Sequence, residues 1–255
     1  MSAETVLITG SSSGIGLELA RLFAADKSNL ILVARSQDRL EALAEELRES
    51  HGVGIVVLPH DLADPAAPQA ICDATKGSVV DVVVNNAGFG AVGAVVDLPL
   101  QRQLDMLQVN ITALTHLTRL FLPGMIERKR GGVLNVGSTA GFQPGPGMAV
   151  YYATKANVLS FTEALAEEVA GTGVKVTCLA PGPTATGFGV DSGMERSLLF
   201  RLGAMDAATV ARRGYRGFRR GKVIVVPGLK NKLGAFAVRF APRSFVRKLV
   251  KRLQG

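Results

Sequence analysis

Seven short and almost continuously apolar runs alternate with helical patterns along the chain. Strands that are apolar at successive positions are typical of a parallel sheet covered on both faces. Patterns such as IGLELARLFAAD and SQDRLEALAEELRES separate them, so the sequence predicts an α/β fold with a doubly wound parallel sheet and right-handed crossovers. The predicted strands are 5–9, 30–34, 55–59, 80–85, 132–137, 174–179 and 222–226.

Composition narrows the class of protein. The length of 255 residues and the 47% of hydrophobic residues indicate a single globular domain. Both cysteines, Cys72 and Cys178, lie in apolar stretches without disulfide or metal-ligand spacing, so we expect no metal site and a reducing compartment. We see neither a secretory signal pattern nor an apolar run of about 18 residues, and we therefore expect a cytoplasmic protein.

A Gly/Ser-rich loop follows the first predicted strand and leads into a helix. Its glycines allow backbone N–H groups to approach a pyrophosphate at the helix N-terminus. The spacing is G-x-x-x-G-x-G rather than the dinucleotide fingerprint G-x-G-x-x-G, so an ordinary turn stays open as the alternative. The candidate cofactor-binding residues of this loop are Gly10, Ser12, Ser13, Gly14, Ile15 and Gly16.

Arg35 follows the second predicted strand, where an NAD-binding site carries an acid about 20 residues after the glycines. A guanidinium binds a 2′-phosphate in a bidentate manner, but it accepts no hydrogen bond from a ribose hydroxyl. Arg35 therefore predicts NADP(H) rather than NAD(H). An ordinary exposed charge at the start of a helix is the alternative.

Two further segments follow the third and fourth predicted strands. The carboxyl ends of the strands in an open α/β sheet form its ligand crevice, so both segments are candidates for cofactor binding. A simple turn is the alternative for the Asn85-Asn86 pair. The candidate residues are Asp61, Leu62, Asn86, Ala87 and Gly88.

The candidate chemistry centres on Tyr151 and Lys155, which are four residues apart and share one face of a predicted helix. A free phenol has a pKa of about 10, and a nearby ammonium lowers it by favouring the phenolate. Ser138 ends the fifth strand, where its hydroxyl can meet a substrate oxygen. Asn110 lies among apolar residues in a predicted helix, as either a polar group of the site or a satisfied core amide.

Taken together, these motifs make the chain resemble the compact single-domain branch of the short-chain dehydrogenase/reductase family, over about the first 185 residues. The resemblance implies a Rossmann sheet of strand order 3-2-1-4-5-6-7 and an NADP(H)-dependent interconversion of a secondary alcohol and a ketone. It also implies a homo-oligomer, either a dimer or a tetramer. The matching residues are Thr9, Gly10, Gly14, Ile15, Gly16, Asp61, Asn85 to Gly88, Asn110, Ser138, Tyr151, Lys155, Pro181 and Gly182.

The resemblance also implies roles for the candidate residues. Tyr151 protonates the carbonyl oxygen as hydride arrives, and Ser138 orients that oxygen. Lys155 holds the nicotinamide ribose and lowers the pKa of Tyr151, while Asn110 supports a water that relays protons to Lys155. The remaining contacts, to the cofactor's carboxamide, are expected from Pro181, Gly182 and Thr184.

The C-terminal quarter carries most of the positive charge. Residues 196–255 hold 16 of the 29 Lys and Arg residues but only one of the 21 acids, Asp206. We expect a catalytic domain over 1–228, with a lid at about 185–220, and a basic amphipathic extension over 229–255. Its apolar stripe comprises Phe245, Val246, Leu249, Val250 and Leu253.

This stripe has three interpretations. It docks on the domain or on a second subunit, it lies on an anionic membrane surface, or the basic segment binds a polyanion or an acyl carrier. Nucleic acid is disfavoured because the chain has no Trp and 5% aromatic residues.

The predicted substrate is an apolar ketone or a 3-oxoacyl compound. The loop 141–148 and the lid would set specificity, with Phe188, Leu198, Leu199 and Phe200 as apolar candidates. Two other functions remain as alternatives: an NADP-binding scaffold or sensor without turnover, and a sugar-nucleotide epimerase.

Overall fold

The computed structural model describes residues 3–196 and 203–254. Leu198, Leu199 and Phe200, which the sequence assigns to an apolar lid, lie outside the described residues.

One seven-stranded sheet forms the centre of the fold, with all neighbouring strands parallel. Its order is β3-β2-β1-β4-β5-β6-β9, which confirms the predicted order, because the seventh strand of the sheet is the ninth in the chain. The two intervening strands are short and pair with each other. The strands are β1 (Thr5–Thr9), β2 (Asn29–Ala34), β3 (Ile55–Pro59), β4 (Val82–Asn85), β5 (Gly131–Val136), β6 (Val174–Leu179), β7 (Thr184–Ala185), β8 (Met205–Asp206) and β9 (Ile224–Val225).

Helices cover both faces of this sheet. A π-helical segment, Gln108–Ala113, joins α4 to α5, and single 3-10 turns lie at Thr139–Phe142 and Met194–Arg196. The α-helices are α1 (Gly14–Ala25), α2 (Gln37–His51), α3 (Ala67–Ala74), α4 (Leu100–Leu107), α5 (Leu114–Glu127), α6 (Ala149–Glu168), α7 (Gly187–Ser192), α8 (Ala207–Arg219), α9 (Leu229–Ala237) and α10 (Arg243–Gln254).

The two apolar layers explain why the strands lack polar alternation. On β1, Val6 and Ile8 belong to the buried cluster that contains Phe23 of α1. Leu7 points to the other face, into the cluster that contains Leu117 of α5. Successive side chains of a strand face opposite sides, so a strand covered on both faces must be apolar at every position.

Two predicted strands are shorter than expected. The strand predicted at 80–85 begins at Val82. The residue before it, Asp81, exchanges hydrogen bonds with Thr5 through its N–H and its carboxylate, and its carbonyl accepts from the Gly132 N–H. The strand predicted at 222–226 spans Ile224–Val225 and pairs only with β6, at the edge of the sheet.

The C-terminal extension packs on its own domain. Val246 and Val250 of α10 are 5% and 3% exposed, in a cluster with Tyr151 and Tyr152 of α6. This contact supports the docking interpretation of the predicted stripe. Among the described residues, no helix is both long and apolar enough to cross a membrane.

Candidate active site

A cleft of about 1000 Å³ runs along the carboxyl ends of the strands and gathers most of the predicted site residues. Gly16 and Asn110 are the two that do not line it, and both lie buried behind its wall. The predicted residues that line the cleft are Gly10, Ser12, Ser13, Gly14, Ile15, Arg35, Asp61, Leu62, Asn86, Ala87, Gly88, Ser138, Tyr151, Lys155, Pro181, Gly182 and Thr184.

Glycine is required where the loop after β1 turns. Gly10 has φ +64°, a left-handed conformation that favours glycine, and a Cβ at Gly16 would lie 2.3 Å from the Gly10 carbonyl oxygen. The Asn86 amide donates to the carbonyls of Thr9 and Gly10 at 2.9 and 3.0 Å, while the Thr9 hydroxyl accepts from the backbone N–H groups of Asn86 and Ala87. The segment after β4 therefore fixes the loop after β1.

Two arginines line the same end of the cleft. Arg35 is exposed between β2 and α2, and Arg39 follows in the first turn of α2. Together with Ser12 and the glycine loop, they form a donor set that suits phosphate oxygens. Sequence reasoning missed Arg39, although its position four residues after Arg35 at the start of a helix is the signal that could have found it.

The segment after β3 contributes a further part of this end. Asp61 is exposed, and its carboxylate accepts from the Ala63 N–H at 3.0 Å, while Leu62 is buried in the core. His60 also lines the cleft. No motif in the sequence singles it out.

Asn110 lies in the π-helical segment and is 1% exposed. Its Oδ1 accepts from the Phe89 N–H at 3.1 Å, and its Nδ2 donates to the Phe89 carbonyl and to the Thr154 hydroxyl, both at 3.0 Å. A Cβ at Gly88 would lie 3.0 Å from Asn110 Oδ1 and 3.4 Å from Lys155 Nζ. Asn110 is thus a satisfied buried amide that ties the segment after β4 to α6, beside Lys155.

Tyr151 and Lys155 occupy the middle of the cleft and are both largely buried. Burial raises the pKa of the Tyr151 phenol above its ordinary value, whereas a hydrogen bond with Ser138 acts in the opposite direction. The lowering of this pKa by Lys155, which the family resemblance implies, stays a prediction. Lys155 Nζ donates to the Val136 carbonyl at 2.9 Å and lies 5.8 Å from the centroid of the phenol ring.

The ammonium of Lys155 is itself disfavoured by its surroundings. Burial lowers its pKa to about 8, and Cys178 acts in the opposite direction. A lysine with this pKa exchanges protons close to neutral pH. The site therefore holds the Tyr151 phenol in its neutral form near the Lys155 amine, whose pKa is about 8.

Beyond Tyr151, large apolar side chains line much of the cleft, together with Arg102 and Asp191. The Phe188 ring lies 5.4 Å from the Tyr151 ring, and the side chains of α10 form the opposite wall. The Thr184 hydroxyl, which also lines the cleft, donates to the Gly182 carbonyl at 2.9 Å. Sequence reasoning identified the apolar stripe of α10 but not its place in the cleft; its lining members are Phe245, Val246, Leu249, Val250 and Leu253.

Comparison with known proteins gives a consistent result. A sequence model described as short chain dehydrogenase matches residues 4–196. The chain is 33% identical over 195 residues to ketoacyl reductase HetN of a Nostoc species, which covers 75% of this chain and 68% of that protein.

Two solved structures are similar over nearly the whole length. A short-chain dehydrogenase from Sphingobium yanoikuyae in complex with NADPH has a TM-score of 0.85 at 33% identity, covering 95% of this chain and 94% of that chain. The bulky-bulky ketone specific alcohol dehydrogenase from Comamonas testosteroni has a TM-score of 0.79 at 30% identity, covering 97% and 96%. With its sheet order and its cleft, the chain therefore belongs to the short-chain dehydrogenase family of oxidoreductases.

Proposed function

We propose that this protein is an NADP(H)-dependent reductase of an apolar ketone or a 3-oxoacyl compound. One observation carries the proposal: the Tyr151 phenol lies where the polar, arginine-bearing half of a single cleft meets its apolar half. A group at that junction can reach both a cofactor and an apolar carbonyl compound. The division into a catalytic domain over 1–228, with its lid, and an extension over 229–255 is part of this proposal, as is a homo-oligomeric assembly.

The polar half suits NADP(H). When bound, NADPH supplies a hydride. The chain offers Arg35 and Arg39 for the 2′-phosphate, backbone N–H groups of the glycine loop for the pyrophosphate, and Lys155 for the nicotinamide ribose. The Sphingobium relative, which was solved with NADPH, supports the same choice.

The protein's own contribution to the reaction is a proton and its placement. Tyr151 gives its phenol proton to the substrate's carbonyl oxygen, and the Ser138 hydroxyl holds that oxygen by a hydrogen bond. The raised pKa of Tyr151 favours the neutral phenol, which is the form that protonates a carbonyl. The phenolate left on Tyr151 regains a proton from Lys155, whose pKa burial lowers to about 8, and Lys155 in turn takes up a proton from solvent.

The apolar half supports a hydrophobic substrate. Its walls combine Phe188 with the valines and leucines of α10. The Comamonas relative is named for bulky ketones and the Nostoc relative for ketoacyl reduction, and either substrate class would fill such a space.

The test is NADPH oxidation by the purified protein with a panel of steroid ketones, aromatic ketones and 3-oxoacyl thioesters. We expect turnover with at least one class, and a loss of about 100-fold or more in kcat for Tyr151→Phe with NADPH binding retained. Tyr152→Phe is the matched control, because it removes a neighbouring phenol that has no lysine four residues on, and it should retain most of the activity. Tight NADPH binding without oxidation of any substrate would favour the scaffold or sensor alternative.

A further inference from the structure

Helix α9 carries large apolar side chains on its outer side. Leu229, Leu233, Phe236 and Phe240 follow one another at spacings of four, three and four residues, so they form one stripe along α9 and the turn after it. They are 71%, 59%, 58% and 75% exposed. The rings of Phe236 and Phe240 pack against each other, with 5.1 Å between their centroids. We call these four residues the α9 stripe.

The opposite side of α9 explains why the stripe faces outward. Asn231, Ala235 and Val238 line the cleft, and a Cβ at Gly182 would lie 2.5 Å from the Asn231 amide, so small and polar residues make the close contact with the domain. A surface stripe of this size marks an interaction site more often than it marks a neutral surface.

The charge around the α9 stripe identifies its partner. Lys230, Lys232, Arg239 and Arg243 are all exposed beside it, and the sequence contains no acid after Asp206. A two-fold contact whose axis passes through the α9 stripe would press this cationic segment against itself. An anionic surface, in contrast, neutralises it.

We propose that the α9 stripe is a docking surface for an anionic lipid bilayer. Leucine and phenylalanine side chains insert between the headgroups, and the flanking lysines and arginines bind the phosphates. This assignment differs from the stripe of α10 suggested by the sequence, because Val246 and Val250 of that stripe are buried in the protein. The proposal concerns binding alone and holds whatever the substrate is.

The experiment is flotation of the full-length protein with vesicles of phosphatidylcholine containing phosphatidylglycerol, and with pure phosphatidylcholine vesicles. We expect binding to the anionic vesicles that weakens as salt increases, and little binding to the neutral ones. The triple variant Leu233→Ser, Phe236→Ser, Phe240→Ser should reduce the partition coefficient at least about tenfold. Lys232→Glu with Arg239→Glu should reduce it by a similar factor.

Matched controls separate the stripe from general hydrophobicity. Val96 and Leu100 are as exposed as the stripe but lie far from it in sequence, and Val96→Ser with Leu100→Ser should bind vesicles like the wild type. None of the substituted residues lines the cleft, so NADPH binding reports whether each variant is folded.

Two outcomes would overturn the proposal. One is a wild-type protein that does not float with anionic vesicles. If the triple variant also converts a dimer into monomers, the stripe is covered by a second copy of the chain instead of by lipid. The other is a folded triple variant that floats as well as the wild type.

Discussion

At the scale of single residues, the buried amine of Lys155 connects stability to pH. Its pKa is lowered from 10.5 to about 8 by burial, so the folded protein disfavours the charged form that the unfolded chain carries up to about pH 10.5. The resulting loss of stability is fully present below about pH 8 and disappears as the pH rises towards 10.5. A buried cation is thus retained at a cost in folding free energy, as is common at functional sites.

We therefore predict that Lys155→Met stabilises the protein at pH 7, by about 2 kcal/mol, since the lost hydrogen bond to Val136 offsets part of the gain. The advantage should shrink towards pH 10. Urea unfolding at both pH values measures it, with the exposed Lys175→Met as the control for removing one positive charge. An advantage that is the same at pH 7 and pH 10 would contradict the buried-cation explanation.

The second residue-scale prediction concerns Arg35. Replacing it with Asp removes a donor suited to a 2′-phosphate and introduces a repelling charge, so NADPH affinity should fall by about 10- to 100-fold. NADH affinity should change little or improve, because a carboxylate accepts the ribose hydroxyl. Parallel fluorescence titrations with both cofactors test this.

Arg119→Asp is the control for the Arg35 substitution, because Arg119 is exposed and outside the cleft. It should leave both affinities unchanged. If the Arg35→Asp protein still binds NADPH more tightly than NADH, Arg39 rather than Arg35 would be the residue that binds the 2′-phosphate.

Residues tied to a sequence pattern could be predicted, and residues placed by tertiary contacts could not. Tyr151 was distinguishable from Tyr152 because only Tyr151 has a lysine one helical turn later. The direction of its pKa was not predictable, since it depends on how far the phenol is buried and on where Lys155 Nζ points. His60 reaches the cleft only through the placement of β3 beside β2.

At the scale of elements, α10 shows how one amphipathic helix divides its apolar face. Val246 and Val250 are buried against α6, whereas Phe245 and Leu249 are partly exposed along the cleft. The sequence pattern predicted the helix and its stripe, but it left open what the stripe would contact. Burial next to Tyr151 makes α10 a wall of the candidate substrate site.

We predict that Val250→Ala loosens this wall. The substitution removes two buried methyl groups and should lower the free energy of unfolding of the tail region by about 2 kcal/mol. The KM for apolar ketones should rise with the KM for NADPH unchanged, because the arginine-bearing half of the cleft is untouched. Hydrogen exchange of α10, together with steady-state kinetics, measures both effects.

The exposed Arg247→Ala, on the same helix, is the control for Val250→Ala. It should change neither hydrogen exchange nor the KM for the ketone. A Val250→Ala protein with wild-type exchange in α10 would show that the helix is held by other contacts.

The π-helical segment is an element that the sequence did not reveal. The pattern around Asn110 predicted an ordinary helix, and helices α4 and α5 do flank it. The wider turn accompanies three hydrogen bonds of the Asn110 amide, which accepts from the Phe89 N–H and donates to the Phe89 carbonyl and the Thr154 hydroxyl. Both partners come from distant parts of the chain. Local propensity cannot encode contacts of this range.

At the scale of the whole molecule, the alternation of strands and helices predicted a doubly wound parallel sheet, and the continuous apolar runs predicted that both of its faces are covered. The order of the strands in that sheet came from the family resemblance. The strand at the edge of the sheet was harder to predict, because β9 pairs with β6 alone among the described strands, through Ile224 and Val225. Charge also divides at this scale, since residues 196–255 hold 16 of the 29 Lys and Arg residues and one of the 21 acids.

The cofactor proposal has a consequence for the stability of the whole fold. Segments after β1, β2, β3, β4, β5 and β6 all line one cleft, so a ligand bound there must hold the folded sheet together. At 100 times its Kd, such a ligand adds about 2.7 kcal/mol to the free energy of unfolding, which corresponds to a rise in Tm of about 5–10 °C for a domain of this size. We predict this rise for NADPH and a clearly smaller one for NADH at the same concentration, measured by differential scanning calorimetry. Tyr151→Phe should keep the NADPH shift and Arg35→Asp should lose most of it, whereas equal shifts with both cofactors would contradict a site selective for the 2′-phosphate.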